Sequence, residues 1–177
     1  LGQMLRPAYF DDLRTERQLG YVVSAGAYPL EGVPGLRFVV QSSRAGAGEL
    51  ARLTSEFVER FGREDLAEMS EADFDRYRQG LITRLTQRDQ NLGERSGRLW
   101  ADLQEDVLTF DTRERIADEI ATIDKAAFEA FYAEFVDLAR SRFVLAYTPG
   151  RFETGALPGR PEENWTAFKQ ARPAFGP

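Results

Sequence analysis

Apolar residues recur along this chain at two spacings, and the change from one to the other divides it into elements. Leu1, Met4, Leu5, Tyr9 and Leu13 fall at three- and four-residue steps and predict a helix from Leu1 to about Leu19. Pro7 lies inside that stripe, so the helix is expected to kink there or to begin there. Gly20 is expected to take the positive φ that ends many helices. The spacing then drops to two. Tyr21 to Tyr28 and Leu36 to Ser42 read as strands, and the turn-rich run Pro29 to Gly35 between them predicts an antiparallel hairpin. In the second strand Leu36, Phe38 and Val40 share one face, and Arg37, Val39 and Gln41 share the other.

After Ser43 the helical period returns. Gly46 and Gly48 make a flexible lead-in, Leu50, Leu53, Phe57 and Phe61 mark an apolar stripe, and Gly62 is expected to end it. Ser70 to Asp73 approximates a capping box with aspartate in place of glutamate, and Met69 and Phe74 stand at the two positions of a hydrophobic staple. That helix turns Phe74, Tyr77, Leu81 and Leu85 inward, and polar Gln87 to Asn91 marks a break or a bend. A further helix carries Leu99, Trp100, Leu103 and Val107, with Trp100 read as core. Asp111 is expected to cap another, with Glu114 at the box position and Ile116 and Ile120 buried. Asp124 opens the next, where Phe128, Phe131, Tyr132, Phe135 and Leu138 predict a buried aromatic face. Arg142 to Thr148 alternates as a closing strand. From Pro149 onward five prolines predict an extended tail across the body, pinned by Trp165 and Phe168. The order predicts an α+β fold, an antiparallel sheet packed against a layer of helices, with one domain over residues 1–150 and a tail over 151–177.

Composition narrows the chemistry. A chain of 177 residues, 42% hydrophobic and 29% charged, has the makeup of one globular domain. Its net charge of −6 argues against a general nucleic-acid binder, which needs a basic stripe. No apolar run approaches the roughly 18 residues that span a bilayer, so no membrane partner is expected. Of 23 basic residues all but Lys125 and Lys169 are arginine, read as a bias of the source genome. The chain opens at Leu1 inside an apparent helix and reads as a piece of a longer protein, with any targeting signal upstream. It contains neither cysteine nor histidine, which excludes disulfides, thiolate zinc sites, Ser–His–Asp triads and imidazole acid–base catalysis within this segment.

The candidate chemistry lies in Leu13-Arg14-Thr15-Glu16-Arg17-Gln18-Leu19-Gly20-Tyr21. At a helix-to-strand corner Arg14 and Tyr21 are candidates for two fixed hydrogen-bond donors aimed at a common space. A plain structural explanation stands beside this one, because an arginine near a helix C-terminus complements the dipole and a tyrosine opening a strand is ordinary core. Other polar groups carry less. Glu68, Glu71 and Asp73 sit at a helix start, where carboxylates are stabilised; Glu129, Glu134 and Asp137 make a solvated face; Gln18 and Gln41 suit strand ends. Gly46 and Gly48 lack the rest of a phosphate loop.

The LRT and QLGY elements together, followed by Gly35-Leu36-Arg37-Phe38-Val39-Val40-Gln41-Ser42, resemble the C-terminal half of the insulinase/pitrilysin zinc metallopeptidases. Met69-Ser70-Glu71 with Phe74, Trp100, Phe110-Asp111, and the ending Asn164 to Lys169 with Pro173 and Phe175 fit the same pattern. The resemblance implies the C-terminal, non-metal-binding domain of a zinc-dependent endopeptidase, lacking its first strands, that degrades peptides in a closed chamber. Arg14 and Tyr21 would then be accessory catalytic residues: the tyrosine hydroxyl donates to the carbonyl oxygen as it becomes an oxyanion, and the arginine holds the substrate backbone. Zinc would belong to the full-length enzyme, on an H-x-x-E-H helix that this segment lacks. The implied partners are a peptide substrate and the N-terminal metal-binding half of the same protein or a partner subunit. A bacterial, periplasmic setting goes with the likeness to pitrilysin. Two readings from other classes remain, a homologous domain that has lost catalysis and serves as a scaffold, and a helical adaptor with no need of the LRT–QLGY elements.

The purified segment is expected to bind no stoichiometric zinc and to hydrolyse no peptide, since carboxylates alone are a poor zinc set. Tight one-to-one uptake in a zinc titration would contradict this.

Overall fold

The fold is that of a computed structural model describing residues 1–29, 33–159 and 164–170. Helix α1 (Gly2–Phe10) passes directly into a π-helical segment, Asp11–Glu16. Strands β1 (Gly20–Ala27) and β2 (Leu36–Ser42) follow, and then helix α2 (Ala47–Phe61) with a second π-helical turn, Gly62–Leu66. Helices α3 (Glu71–Thr86), α4 (Leu92–Gln104), α5 (Thr112–Thr122) and α6 (Lys125–Ser141) complete the body, and a short α7 spans Trp165–Gln170. The α+β class read from the sequence is the one observed, an antiparallel hairpin covered by helices.

The hairpin pairs Gly20 with Ser42 at one end and Ala27 with Leu36 at the other, and Tyr28 N–H closes it on Gly35 O at 2.8 Å. Leu36, Phe38 and Val40 pack inward as the alternation predicts. The core is an aromatic chain across layers. The Tyr9 ring, fully buried in α1, meets Phe38 of β2 and Phe57 of α2 edge-on, at 5.1 and 5.0 Å between centroids. Contacts continue from Phe57 to Phe61, to Tyr132 of α6 and to Phe135, at 6.0, 5.6 and 5.8 Å. Both buried hydroxyls are satisfied, Tyr9 with Thr54 Oγ1 at 2.8 Å and Tyr132 on Val58 O at 2.8 Å.

Several local expectations hold. Ser70 Oγ accepts from Asp73 N–H at 3.1 Å and donates to the Asp73 carboxylate at 2.6 Å; Asp124 caps α6 through Ala127 N–H at 2.7 Å. The break at Gln87–Asn91 is a clasp. Asp89 takes Arg98 at 3.0 Å and Arg113 at 3.2 Å, joining α4 to α5, and the Arg98 hydrogen bond holds the Asp89 carboxyl below its ordinary range.

Other expectations are corrected. The first helix neither begins at Pro7 nor runs to Leu19: it starts at Gly2, passes through Pro7 and widens to π geometry at Asp11. The positive φ falls on Gln18 (+52°), and Gly20 lies in β1. Gly62 does not end its helix, since its φ and ψ of −68° and −38° carry the turn onward while the Tyr132 ring fills the space beside it. Asp111 precedes α5 without a side-chain cap because its carboxylate accepts from Thr109 instead. Arg142 to Thr148 alternates like a strand, but among the described residues it pairs with no neighbour and the sheet has two strands. A period of two becomes a strand only where a free edge lies alongside. Trp100, Ile116, Phe131 and Leu138 are exposed, and Ala117 is the buried residue of α5.

Residues 151–156 run beside the start of α2. Thr154 O accepts from Gly48 N–H at 2.7 Å, and Arg151 donates to Ser43 O at 3.3 Å. A side chain at Gly46 or Gly48 would run into the carbonyls of Glu153 or Ala156, so these glycines serve a close backbone approach. The side chains of Trp165 and Phe168, expected as pins, lie outside the described residues, as do 30–32, 160–163 and 171–177.

Two outcomes follow from this packing. Phe57→Ala should cost about 3–5 kcal/mol, whereas half-exposed Phe131→Ala should cost about 1 kcal/mol or less; equal losses in urea unfolding would contradict the assignment. Burial pushes the Tyr9 hydroxyl up to about 12 and raises that of Tyr132 as well. A raised folded-state value means that the native state holds the proton more tightly than the unfolded chain does. This stability is complete below about pH 10 and is lost as pH rises through about 12. Tyrosinate absorbance should therefore rise in two stages, the second coinciding with loss of helical circular dichroism.

Candidate functional site

The corner between the π-helical segment and β1 is built from the inside outward. Asp12, 4% exposed, accepts from Arg17 Nε at 2.7 Å and from Arg60 Nη2 at 2.8 Å. A carboxylate taken out of water needs such partners, and this one ties the segment to α2. Leu13 and Leu19 are buried beside it, and Leu19 N–H reaches back to Leu13 O at 2.9 Å. Arg14 follows Asp12 and Leu13 and is half-buried.

Strand β1 makes one departure from regular pairing. Gly20 pairs with Ser42 and Val22 with Gln41, so the ladder carries a bulge at Tyr21. Strict alternation would put Tyr21 on the same face as Val23 and Ala25, which are buried. Tyr21 is instead the extra residue of the ladder and is 83% exposed. Gly20 is required beside the bulge because any side chain there would strike the Gln41 carbonyl.

Arg14 and Tyr21, singled out from the sequence, lie together. The Arg14 guanidinium stands 4.9 Å from the centroid of the Tyr21 ring and 5.3 Å from that of Phe10, and its Nη1 donates to the Tyr21 carbonyl. A charged fork between two aromatic rings is held by cation–π attraction and keeps further N–H groups for another acceptor. In the sequence Phe10 shares one side of the first helix with Leu13, and its position four residues before Arg14 is the visible signal that the two meet. The bulge leaves no such trace.

The remaining candidates disperse. Asp73 serves the Ser70 cap and pairs with Arg76; Glu129 pairs with Lys125; Asp137 pairs with Arg140 at 3.1 Å. Gln41 faces solvent opposite Val22. Among the described residues no group of three or more histidine, cysteine, aspartate or glutamate side chains is placed to hold a metal ion, and with neither histidine nor cysteine the donor set does not fit zinc.

The fold is one found in C-terminal lobe domains of the insulinase family. Residues 1–100 match the family described as PQQ synthase PqqF-like, C-terminal lobe domain 4, and the chain belongs to that family. Protease 3 of Escherichia coli is 28% identical over 178 residues, covering 98% of this chain and 18% of that protein. The A-factor-processing enzyme of Saccharomyces cerevisiae is 31% identical over 135 residues, 76% of this chain and 13% of that protein. The peroxisomal insulin-degrading enzyme-like 1 of Arabidopsis thaliana is 28% identical over 141 residues, 80% and 14% of the two chains. The crystal structure of pitrilysin superposes with a TM-score of 0.68 at 28% identity, over 75% of this chain and 14% of that one. The chain thus spans less than a fifth of the length of these relatives.

Proposed function

We propose that this chain is the C-terminal lobe domain of a zinc-dependent endopeptidase, to which it contributes substrate-binding and oxyanion-stabilising groups rather than the metal. Membership of the insulinase family supports the peptidase reading. The observation that carries the residue assignment is an exposed Tyr21 at a bulge in β1 with the Arg14 guanidinium stacked on its ring.

In this reading the metal and the water it activates belong to the other half of the protein or to a partner subunit, and the two halves enclose the peptide in a chamber. Tyr21 presents its hydroxyl to the carbonyl oxygen of the scissile bond. Charge grows on that oxygen as the tetrahedral intermediate forms, so a fixed donor stabilises the transition state more than the bound substrate. Arg14 stays charged throughout and has N–H groups beyond the one given to the Tyr21 carbonyl, with which it holds the peptide backbone. The same stacking makes Arg14 a brace for Tyr21.

In the full-length protein Tyr21→Phe keeps the ring and removes only the donor. It should lower kcat by about 10²–10³-fold with little change in KM. Arg14→Lys keeps the charge and loses the fork, so it should raise KM more than it lowers kcat. Neither should shift the melting temperature appreciably, because neither side chain is part of the core. Normal turnover in Tyr21→Phe, or a loss of activity that only follows unfolding, would make Tyr21 a structural residue of the strand instead.

A further inference from the structure

Ser42 ends β2 directly across the ladder from Gly20, one residue from the bulge. A hydroxyl offers one proton and two lone pairs, and this one has a partner for each. Ser42 Oγ donates to the Leu19 carbonyl and accepts from Arg44 N–H and Ala45 N–H, both at 3.0 Å. The chain on either side is held from the same loop. Arg44 Nη1 reaches the carbonyl of Gln18 at 3.4 Å, and Gln18 is held at a left-handed φ of +52° that a side chain adopts only under constraint. The loop itself is tied down by Arg151 on Ser43 O and by Gly48 N–H on Thr154 O.

We infer that Ser42 is a positioning residue for Tyr21: its hydroxyl fixes the Leu19 carbonyl and so helps to hold the bulge at which the exposed tyrosine stands. The inference rests on the oxyanion role proposed for Tyr21 and names what sets its geometry. A bulge is one residue more than the ladder needs, and its place is decided by the anchors on either side. On the far side the anchor is the Val22–Gln41 pair. On the near side the Gly20–Ser42 pair is backed by the Ser42 hydroxyl on Leu19, while Arg14 holds the carbonyl of Tyr21 itself. Without that hydroxyl the near anchor is weakened, and a shift in the place of the bulge displaces Tyr21. Misplacement of a reacting-site donor by about 1 Å is enough to cost on the order of 10²-fold in rate.

The test uses the full-length zinc-loaded protein and a peptide substrate, at a temperature where circular dichroism shows every variant folded. Ser42→Ala should lower kcat by about 10- to 10²-fold with KM within about 2-fold. Ser42→Thr, which keeps the hydroxyl, should restore most of the rate. In a Tyr21→Phe background the same Ser42→Ala change should cost less than about 3-fold more, because the donor it positions is already gone. Normal kcat in Ser42→Ala alongside an impaired Tyr21→Phe would overturn this inference and leave the oxyanion reading standing. Losses that multiply fully in the double variant would overturn it too, as would a threonine variant no better than alanine. Normal turnover in Tyr21→Phe would remove the oxyanion reading on which the inference depends. If Ser42→Ala does not fold, Ser42→Cys, close in size but a weak donor, takes its place with the same expected outcomes.

Discussion

The contact on which this structure depends is the insertion of the Tyr9 ring between Phe38 and Phe57. A two-stranded hairpin is marginal in water by itself and needs a helix layer on its apolar face. Tyr9 supplies the junction: its edge-on rings join β2 to α2, and α2 passes the contact through Phe61 to Tyr132 and α6. The hydroxyls of Tyr9 and Tyr132 find Thr54 and Val58, so two large polar-tipped residues are buried without leaving a donor unsatisfied. Hairpin and helices thereby become one core, and whatever the hairpin presents at its edge is held in register with the helices behind it.

Charge does for the corner what the rings do for the core. Asp12 is a buried carboxylate that would be costly alone, and Arg17 and Arg60 make it a bridge between the π-helical segment and α2. With that side fixed, the left-handed Gln18, the close approach of Gly20 to Gln41 and the hydroxyl of Ser42 lead the chain into β1 by a single route. The outcome is an exposed tyrosine stacked on an arginine at the end of a rigid element. A side chain so exposed and so well anchored suits contact with something outside this chain, which is how the proposed function uses it. In that proposal these donors make half of a site, and the chain spans a small share of the length of its relatives.

The sequence by itself determined what local forces decide. The helices from Leu50 to Leu138, their starts at Ser70 and Asp124, the hairpin and the inward face of β2 follow from periodicity and capping, which act within one or two turns of the residues that cause them. The LRT and QLGY elements carried the family and the pairing of Arg14 with Tyr21. Tertiary structure alone decided the rest. Arg142 to Thr148 has a strand's pattern without a partner; Trp100 and Phe131 have a core's chemistry without neighbours to cover them; Gly46 and Gly48 are explained by carbonyls a hundred residues away in the chain. Above all, the period of two gives Tyr21 the parity of buried Val23 and Ala25, while its exposure and the bulge beside it depend on pairing with a strand some twenty residues distant. Local pattern records what a residue prefers, whereas burial, strand pairing and orientation depend on which distant segment fills the space beside it.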